Sequence, residues 1–302
     1  MNINYPLLID GGLSNVLENE GCDLNHKLWS AHVLESDPEA IIQVHLVYLR
    51  SGAQCITTSS YQATIQGFID VGYNKNQAES YILKSVELAE EAIIRFKRNN
   101  KNVLQPLIAA SIGPYGAYLA DGSEYRGNYG LTNEELQSFH QSRIDLLNRS
   151  NADILACETI PSFQEIKVLA SILKETKKPA WISFSCKDEK HINDGTAIEE
   201  CAAYLSSHPR IFAIGVNCTS PEYISGIIKS IQSGSPLKKI VVYPNSGEAY
   251  NARSKTWIGV SDPKLFIEMA KEWLELGADI IGGCCRIGPA HIAQLARLLK
   301  SR

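Results

Sequence analysis

The chain has 302 residues, of which 44% are hydrophobic and 21% are charged, and its formal net charge at pH 7 is −4. This composition is typical of a water-soluble globular protein, and the lack of a basic block or stripe argues against nucleic acid or an anionic membrane as a partner. The first residues lack the basic start and apolar core of a signal peptide, and no run approaches the ~18 apolar residues of a membrane-spanning helix.

Eight short apolar runs recur along the chain and predict strands that are buried on both faces. They are Leu7–Ile9, Cys55–Thr58, Leu107–Ala110, Ile154–Ala156, Trp181–Phe184, Phe212–Val216, Ile240–Tyr243 and Ile280–Ile281. Between them, apolar residues at three- and four-residue steps predict amphipathic helices. These helices are predicted at Pro38–Leu49, Gln77–Phe96, Thr132–Leu147, Ser162–Leu173, Ala197–Leu205, Pro221–Ile231, Pro263–Leu276 and Pro289–Leu299.

This alternation of strand and helix, without a long linker, predicts one domain over residues 1–302. The predicted fold is an α/β, single-domain (β/α)8 TIM barrel with its active site at the C-terminal ends of the strands. A doubly wound open sheet is the alternative. Against it, the first strand is followed by Asp10-Gly11-Gly12 and not by the Gly-x-Gly-x-x-Gly pattern of dinucleotide-binding folds.

Three cysteines follow the sixth and eighth predicted strands, Cys218 after the sixth and the adjacent Cys284 and Cys285 after the eighth. Three converging thiolates could hold zinc and leave its fourth position free for a substrate. One strand lies between the strand before Cys218 and the strand before Cys284, so the two backbones should be ~10 Å apart. To reach one metal ion, the cysteines would have to lean inward over the barrel mouth. The adjacent pair can face one metal only if the strand ends at Gly282-Gly283, which would supply a flexible turn. Buried thiols beside a tight turn are the alternative.

The other five cysteines are interpreted as small buried hydrophobes or surface thiols. They are Cys22, Cys55, Cys157, Cys186 and Cys201. Eight cysteines in a chain of this length do not resemble a short, disulfide-dense secreted scaffold. We therefore expect a cytoplasmic, reducing location.

Polar residues at three further strand ends are candidates for substrate binding. Asp10 could accept from a ligand ammonium, and the N–H groups of Gly11 and Gly12 could bind a carboxylate. Glu158 ends the fourth strand at the rim of the barrel, where a carboxylate usually has a partner. Asn245 follows the seventh strand, between the two cysteine-bearing strands. The alternative for Asp10, Gly11 and Gly12 is a glycine-rich turn with a capping aspartate. For Glu158 it is a structural carboxylate, and for Asn245 a plain turn.

Two aromatic residues, Trp29 and Tyr61, follow the first and second strands, where their faces could hold a cation. Packing is the alternative for both. The segment 113–127, after the third strand, is long, turn-rich and aromatic, which is typical of a substrate loop but also of a structured surface loop.

Seven segments, in this order, carry a resemblance to a known family. They are Asp10–Gly12, Cys55–Thr64, Ser111–Gly127, Cys157–Thr159, Gly215–Cys218, Tyr243–Glu248 and Gly282–Arg286. Together they span almost the whole chain, which resembles the homocysteine S-methyltransferase family. The stretch Pro114–Tyr125 is similar to the branch that uses S-methylmethionine and not to the betaine branch.

The resemblance implies a zinc-containing barrel whose partners are homocysteine and a small-molecule methyl donor. The implied zinc ligands are Cys218, Cys284 and Cys285. The implied homocysteine contacts are Asp10, Gly11, Gly12 and Glu158, and the implied donor contacts are Trp29 and Tyr61. The expected reaction moves a methyl group from S-methylmethionine to homocysteine and gives methionine. S-adenosylmethionine or betaine as donor is the alternative, a non-catalytic structural zinc protein is a remote one, and the oligomeric state stays open.

Overall fold

The computed structural model describes residues 3–101, 103–247, 249–251, 256–258 and 262–301. Glu248, the last residue of one family-like segment, lies outside these ranges. Within them, no helix is both long enough and apolar enough to cross a bilayer.

Eight parallel strands form the central sheet, in the spatial order β1-β10-β7-β6-β5-β4-β3-β2. Their bounds are β1 Leu7–Leu8, β2 Cys55–Thr57, β3 Leu107–Ile112, β4 Ile154–Ile160, β5 Ala180–Phe184, β6 Ile211–Asn217, β7 Lys239–Tyr243 and β10 Ile280–Ile281. The two ends of this order meet through a parallel bridge between Ile9 and Cys55, which completes the ring. The (β/α)8 barrel is therefore confirmed, and the open-sheet alternative is excluded because such a sheet would leave β1 and β2 as separate edges.

Helices follow the strands around the outside of the barrel. Their bounds are α1 Leu13–Asn19, α2 Val33–Ser36, α3 Pro38–Arg50, α4 Ile65–Asp70, α5 Lys75–Asn99, α6 Tyr115–Leu119, α7 Asn133–Arg149, α8 Phe163–Lys174, α9 Ile198–Leu205, α10 Ile224–Gly234, α11 Pro263–Glu275 and α12 Pro289–Lys300. Short 3-10 helices cover Trp29–His32, Ser123–Tyr125 and Pro221–Tyr223. An antiparallel hairpin, β8 Ala249–Asn251 with β9 Thr256–Ile258, lies between β7 and α11.

All eight predicted strands and all eight predicted helices are present, with ends that differ by a few residues. A capping box at Thr132 begins α7: its hydroxyl accepts the Glu135 N–H, and the Glu135 carboxylate accepts the Thr132 N–H. One start was wrong, because the first turn from Pro221 is a 3-10 helix and α10 begins only at Ile224. The unpredicted helices are short pieces inside βα loops, too brief to show a helical period, and the β8–β9 hairpin was not predicted either.

The inside of the barrel is a packed core. Trp181 belongs to this core and is flanked by the small side chains of Ala156 and Ala213 on the two neighbouring strands. The indole N–H of Trp181 donates to the hydroxyl of Tyr243 at 3.1 Å. Tyr243 therefore caps the apolar core and forms part of the floor beneath the C-terminal mouth.

The five cysteines interpreted as structural behave in that way. Cys55, Cys157, Cys186 and Cys201 are buried, and Cys22 is half-buried.

Candidate active site

A cavity of about 390 Å³ opens at the C-terminal ends of the barrel strands. Nine of the ten site residues predicted from the sequence line it, namely Asp10, Gly11, Gly12, Trp29, Tyr61, Glu158, Cys218, Cys284 and Cys285. The tenth, Asn245, is not in the lining. Its side-chain oxygen accepts the Gly247 N–H at 2.9 Å and its own N–H donates to the Thr219 carbonyl oxygen at 3.1 Å, so it shapes the turn after β7. Asn245 is thus the one predicted site residue that the structure places in a turn and not on the cavity wall.

The sulfur atoms of Cys218, Cys284 and Cys285 lie within 4.8 Å of one another. Cys218 and Cys284 are paired as a disulfide with their Cα atoms 5.4 Å apart, and the Cys218 and Cys285 sulfurs are 3.4 Å apart. The Cα separation is well below the ~10 Å expected between strands two positions apart. The reason is that both cysteines lie beyond the strand ends and bend over β7: the Cys218 N–H donates to the Tyr243 carbonyl oxygen, and the Cys284 N–H donates to the Pro244 carbonyl oxygen.

The glycines before the cysteine pair have a different role from the one predicted. The strand does end before them, at Ile281, but neither Gly282 nor Gly283 adopts a positive φ. They are required for close approach, because a Cβ on Gly282 would overlap the side chain of Ile9 and a Cβ on Gly283 would overlap that of Ile287.

The three cysteines fit a zinc ion chemically. Thiolates bound tetrahedrally at ~2.3 Å lie about 3.8 Å from one another, which the 4.8 Å limit of this cluster accommodates. Among the described residues, no histidine or carboxylate joins the group, so the protein offers three ligands and a fourth position would face the cavity. A disulfide sulfur is not a thiolate, so only the reduced form of Cys218 and Cys284 could serve as ligand.

Asn217, next to Cys218, links the cysteines to strand β4. Its side-chain oxygen accepts the Thr159 N–H at 2.6 Å and the Ser183 hydroxyl at 2.8 Å. Its amide nitrogen donates to the Thr159 hydroxyl at 2.7 Å and lies 3.9 Å from the sulfur of Cys284. Asn217 thus holds the end of β4 and one metal-ligand candidate in a fixed relation.

The end of β4 is strained where Asn217 holds it. The register between β4 and β5 shifts between Cys157 and Ile160, and Thr159 has a φ of 61°, which is costly for a β-branched residue. This irregularity turns the side chain of Glu158 into the cavity.

Two buried carboxylates lie on the cavity wall. Asp10 accepts the Thr57 N–H at 2.8 Å and the Thr57 hydroxyl at 2.9 Å, and Glu158 accepts the hydroxyls of Ser111 and Tyr243. Burial raises the pKa of Asp10 to about 8, against the opposing effect of the Thr57 hydrogen bonds and with a smaller contribution from the charge of Glu158. Burial likewise raises the pKa of Glu158. Burial therefore disfavours the ionised form of both carboxyl groups, and a cationic ligand would stabilise it.

The backbone after Asp10 is tightly packed. The Gly12 N–H donates to the Ile287 carbonyl oxygen at 2.9 Å, so it is already paired. A Cβ on Gly12 would lie 2.7 Å from the Cys284 carbonyl oxygen. Gly12 therefore lets the β1 turn pack directly against the cysteine turn.

The aromatic residues form another part of the wall. The rings of Trp29 and Tyr61 meet edge to face with centroids 6.5 Å apart. Glu124 and Tyr125, from the loop after β3, line the same cavity.

A buried cluster outside the barrel anchors that loop. Glu165 accepts the Tyr115 N–H and the His140 side chain, both at 2.7 Å. Arg143 donates to the Gly113 carbonyl oxygen at 2.7 Å and to the second ring nitrogen of His140 at 3.0 Å. Because that nitrogen accepts from Arg143, the other one carries the hydrogen donated to Glu165. The clamp Arg143–His140–Glu165 therefore fixes both the start of the loop and helix α6.

Several cavity residues were not singled out from the sequence. They are Thr57, Ser59, Gln62, Ser111, Glu124, Tyr125, Asn217 and Tyr243. Most of them fall at strand ends or in the loop 113–127, both of which the sequence marked as functional regions. Their residue types alone carried no further signal.

Comparison with known proteins gives a consistent result. The family model described as homocysteine S-methyltransferase matches residues 7–299. The chain is 47% identical to the homocysteine S-methyltransferase YbgG of Bacillus subtilis, over 98% of this chain and 96% of that protein. It is 45% identical to the homocysteine S-methyltransferase of Escherichia coli, over 96% and 94%. Among solved structures, the metallated form of the E. coli homocysteine methyltransferase MmuM superposes with a TM-score of 0.88 and 42% identity, over 97% of this chain and 96% of that one.

Proposed function

The chain belongs to the homocysteine S-methyltransferase family and is a methyltransferase, and we propose that it transfers a methyl group from S-methylmethionine to homocysteine at a zinc ion. The proposed zinc ligands are Cys218, Cys284 and Cys285 as thiolates. The observation that supports this most directly is the convergence of three sulfurs on one wall of a cavity that also carries two buried carboxylates. Residues 1–302 would act as one homocysteine-binding barrel domain.

Zinc held by three thiolates would favour the thiolate form of an incoming thiol and offer it the open fourth position. Everything else in the reaction falls to the protein's own residues. Asn217 keeps Cys284 oriented through its amide, which is the kind of outer contact that tunes a metal ligand.

The polar end of homocysteine is proposed to bind at Asp10, Gly11, Gly12 and Glu158. Asp10 and Glu158 are acceptors with raised pKa values, so an ammonium group would stabilise their ionised forms. Of the two glycines, Gly12 has its N–H paired, so its contribution is space and Gly11 is the proposed backbone donor.

The sulfonium group of the donor is proposed to face Trp29 and Tyr61, whose ring faces attract a cation without hydrogen bonding to it. Attack of an anionic sulfur on a cationic methyl group yields neutral products, so charge disappears along the reaction. An enclosed pocket that excludes water should therefore favour the step. With S-methylmethionine, both products are methionine.

The test is a rate comparison with purified, reduced protein, homocysteine and three donors: S-methylmethionine, S-adenosylmethionine and betaine. We expect the fastest consumption of homocysteine with S-methylmethionine, loss of activity with a chelator and recovery with zinc. Undiminished turnover after complete removal of metal would contradict the proposal, and preference for betaine would reassign the donor.

A cytoplasmic location belongs to the same proposal. The three cysteines must stay reduced to act as thiolates, which the glutathione-buffered cytoplasm would ensure.

A further inference from the structure

The cavity contains a third carboxylate that the proposed reaction has not yet used. Glu124 lies in the 3-10 helix Ser123–Tyr125, on the loop after β3, and lines the cavity. Its Oε2 atom is buried and has no hydrogen-bond partner among the described residues. Asp10 and Glu158, by contrast, each accept two hydrogen bonds from neighbouring groups. A buried acceptor without a donor is costly, so this atom calls for a ligand donor.

A second unpaired acceptor lines the same cavity. Gln62 is 8% exposed, and its Nε2 donates to the Ala117 carbonyl oxygen at 2.6 Å. That bond identifies the amide nitrogen and leaves Oε1, which has no partner among the described residues. Gln62 is thus attached to helix α6, which packs against the backbone of Glu124 at Gly116.

Glu124 lines the same cavity as Trp29 and Tyr61, the proposed donor contacts. Burial raises the pKa of the Tyr61 hydroxyl, and the negative charges of Tyr125 and then of Glu124 add to this effect. The carbonyl oxygen of Glu124 accepts the Ser185 hydroxyl at 2.9 Å, which fixes the backbone that presents the side chain. A Cβ on Gly116 would overlap this same backbone, so helix α6 fits closely against it.

From this geometry, which rests on the proposed function, we propose that Glu124 and Gln62 receive the α-ammonium group of the methyl donor. An ammonium has three N–H donors and one positive charge, which suits a carboxylate together with an amide oxygen. A sulfonium centre has no hydrogen to donate and would leave both acceptors unpaired. Betaine has a quaternary nitrogen and is equally unable to satisfy them. Glu124 is therefore a specificity-determining residue that selects donors carrying an amino acid group.

The test compares S-methylmethionine with 4-(dimethylsulfonio)butanoate, which is the same sulfonium without the α-ammonium. Consumption of homocysteine is followed in the reduced, zinc-loaded wild type, in Glu124→Gln and in Asp121→Asn. Asp121 is an exposed residue of the same loop outside the cavity lining, so its variant removes an equal charge without touching the proposed contact.

We expect the wild type to prefer S-methylmethionine by about 10- to 100-fold in kcat/KM, the range for one charged hydrogen-bonded contact. Glu124→Gln should lose this preference through a higher KM for S-methylmethionine, with little change for the desamino analogue or for homocysteine. Asp121→Asn should retain it, and Glu124→Asp should restore part of it.

Three results would overturn the inference. An equal loss with both donors would mean that Glu124 acts on the sulfonium charge, and a raised KM for homocysteine alone would assign it to the acceptor. A wild type that uses both donors equally would remove the ammonium contact without any variant. Failure of the wild type with S-methylmethionine itself would instead refute the proposed function, so the two failures are distinguishable.

Discussion

Replacing Asn217 with alanine should damage both the stability of the barrel and its chemistry. The side chain holds Thr159 at both its N–H and its hydroxyl, and it accepts from Ser183. In Asn217→Ala the buried Thr159 N–H loses its acceptor, which costs about 1–3 kcal/mol. Ser183 loses one partner but keeps Tyr243 at 2.6 Å, so its share is about 1 kcal/mol or less. The free energy of unfolding should therefore fall by about 1–4 kcal/mol.

The same substitution should act on catalysis through backbone strain. Thr159 has a φ of 61°, a conformation worth about 1–3 kcal/mol of strain that the Asn217 hydrogen bonds hold in place. Without them the end of β4 can relax and carry Glu158 away from the cavity. A displacement of about 1 Å in a reacting assembly can cost ~100-fold in rate, so we expect a fall in kcat/KM of that order.

Urea unfolding of the reduced protein and steady-state kinetics measure the two effects. Asn148→Ala is the matched control, because Asn148 accepts two backbone N–H groups, of Lys177 and Lys178, at a half-exposed position. Water can replace those bonds, so its cost should stay below about 1 kcal/mol, with normal kinetics. A free energy of unfolding for Asn217→Ala within about 0.5 kcal/mol of the wild-type value, or a loss no larger than that of the control, would contradict this prediction.

Three other predictions concern the metal, the acceptor site and the loop clamp. Serine at any of Cys218, Cys284 and Cys285 should lower the zinc content measured by metal analysis and abolish transfer, while Cys22→Ser, half-buried and outside the cavity lining, should do neither. Asp10→Asn should raise the KM for homocysteine; an unchanged KM would argue against the assignment. In the folded protein Asp10 stays protonated up to a pKa of about 8, whereas in the unfolded chain it ionises near 3.9. The wild-type free energy of unfolding, measured with urea, should therefore fall as pH rises between those values, and Asp10→Asn should reduce this dependence. Glu165→Gln should lower the free energy of unfolding by about 3–5 kcal/mol in the same assay, because it removes a negative charge from the buried cluster that contains Arg143. It should also raise the KM for the methyl donor. The exposed variant Glu134→Gln should change neither quantity.

The barrel itself was predictable because its strands are buried on both faces and therefore appear as continuous apolar runs. The cysteine cluster was predictable because Cys218 and Cys284 each follow such a run. The geometry that brings these cysteines together was only partly predictable from the sequence. The inward lean is a product of backbone turns beyond the strand ends, at Cys218 with its φ of 48° and after Cys285 at Arg286 with its φ of 68°.

The polar residues show where sequence reasoning stops. Asn245 and Glu124 are both polar and both follow barrel strands. Asn245 pairs with its own turn, whereas Glu124 lines the cavity and has a buried carboxylate oxygen without a partner among the described residues. Which of these happens depends on the path of the loop, and that path is set by contacts far away in sequence. Gly282 illustrates the same limit, since its need for space comes from the packing of Ile9 on a strand at the other end of the chain.

The clamp formed by Arg143, His140 and Glu165 secures one part of the cavity wall from outside the barrel. Cys218 follows β6, and Cys284 and Cys285 follow β10. The loop after β3, which lines the same cavity, is instead secured by side chains of helices α7 and α8. Transplanting the span from Gly113 to Glu165 as a unit would move the loop together with Arg143, His140 and Glu165. It would also carry Glu158, while Cys218, Cys284 and Cys285 would stay in place. Exchanging the loop alone would put the contact between the buried Arg143 and the Gly113 carbonyl oxygen at risk. The proposed donor preference should therefore change, in evolution or by engineering, through exchange of the whole segment and not of single residues.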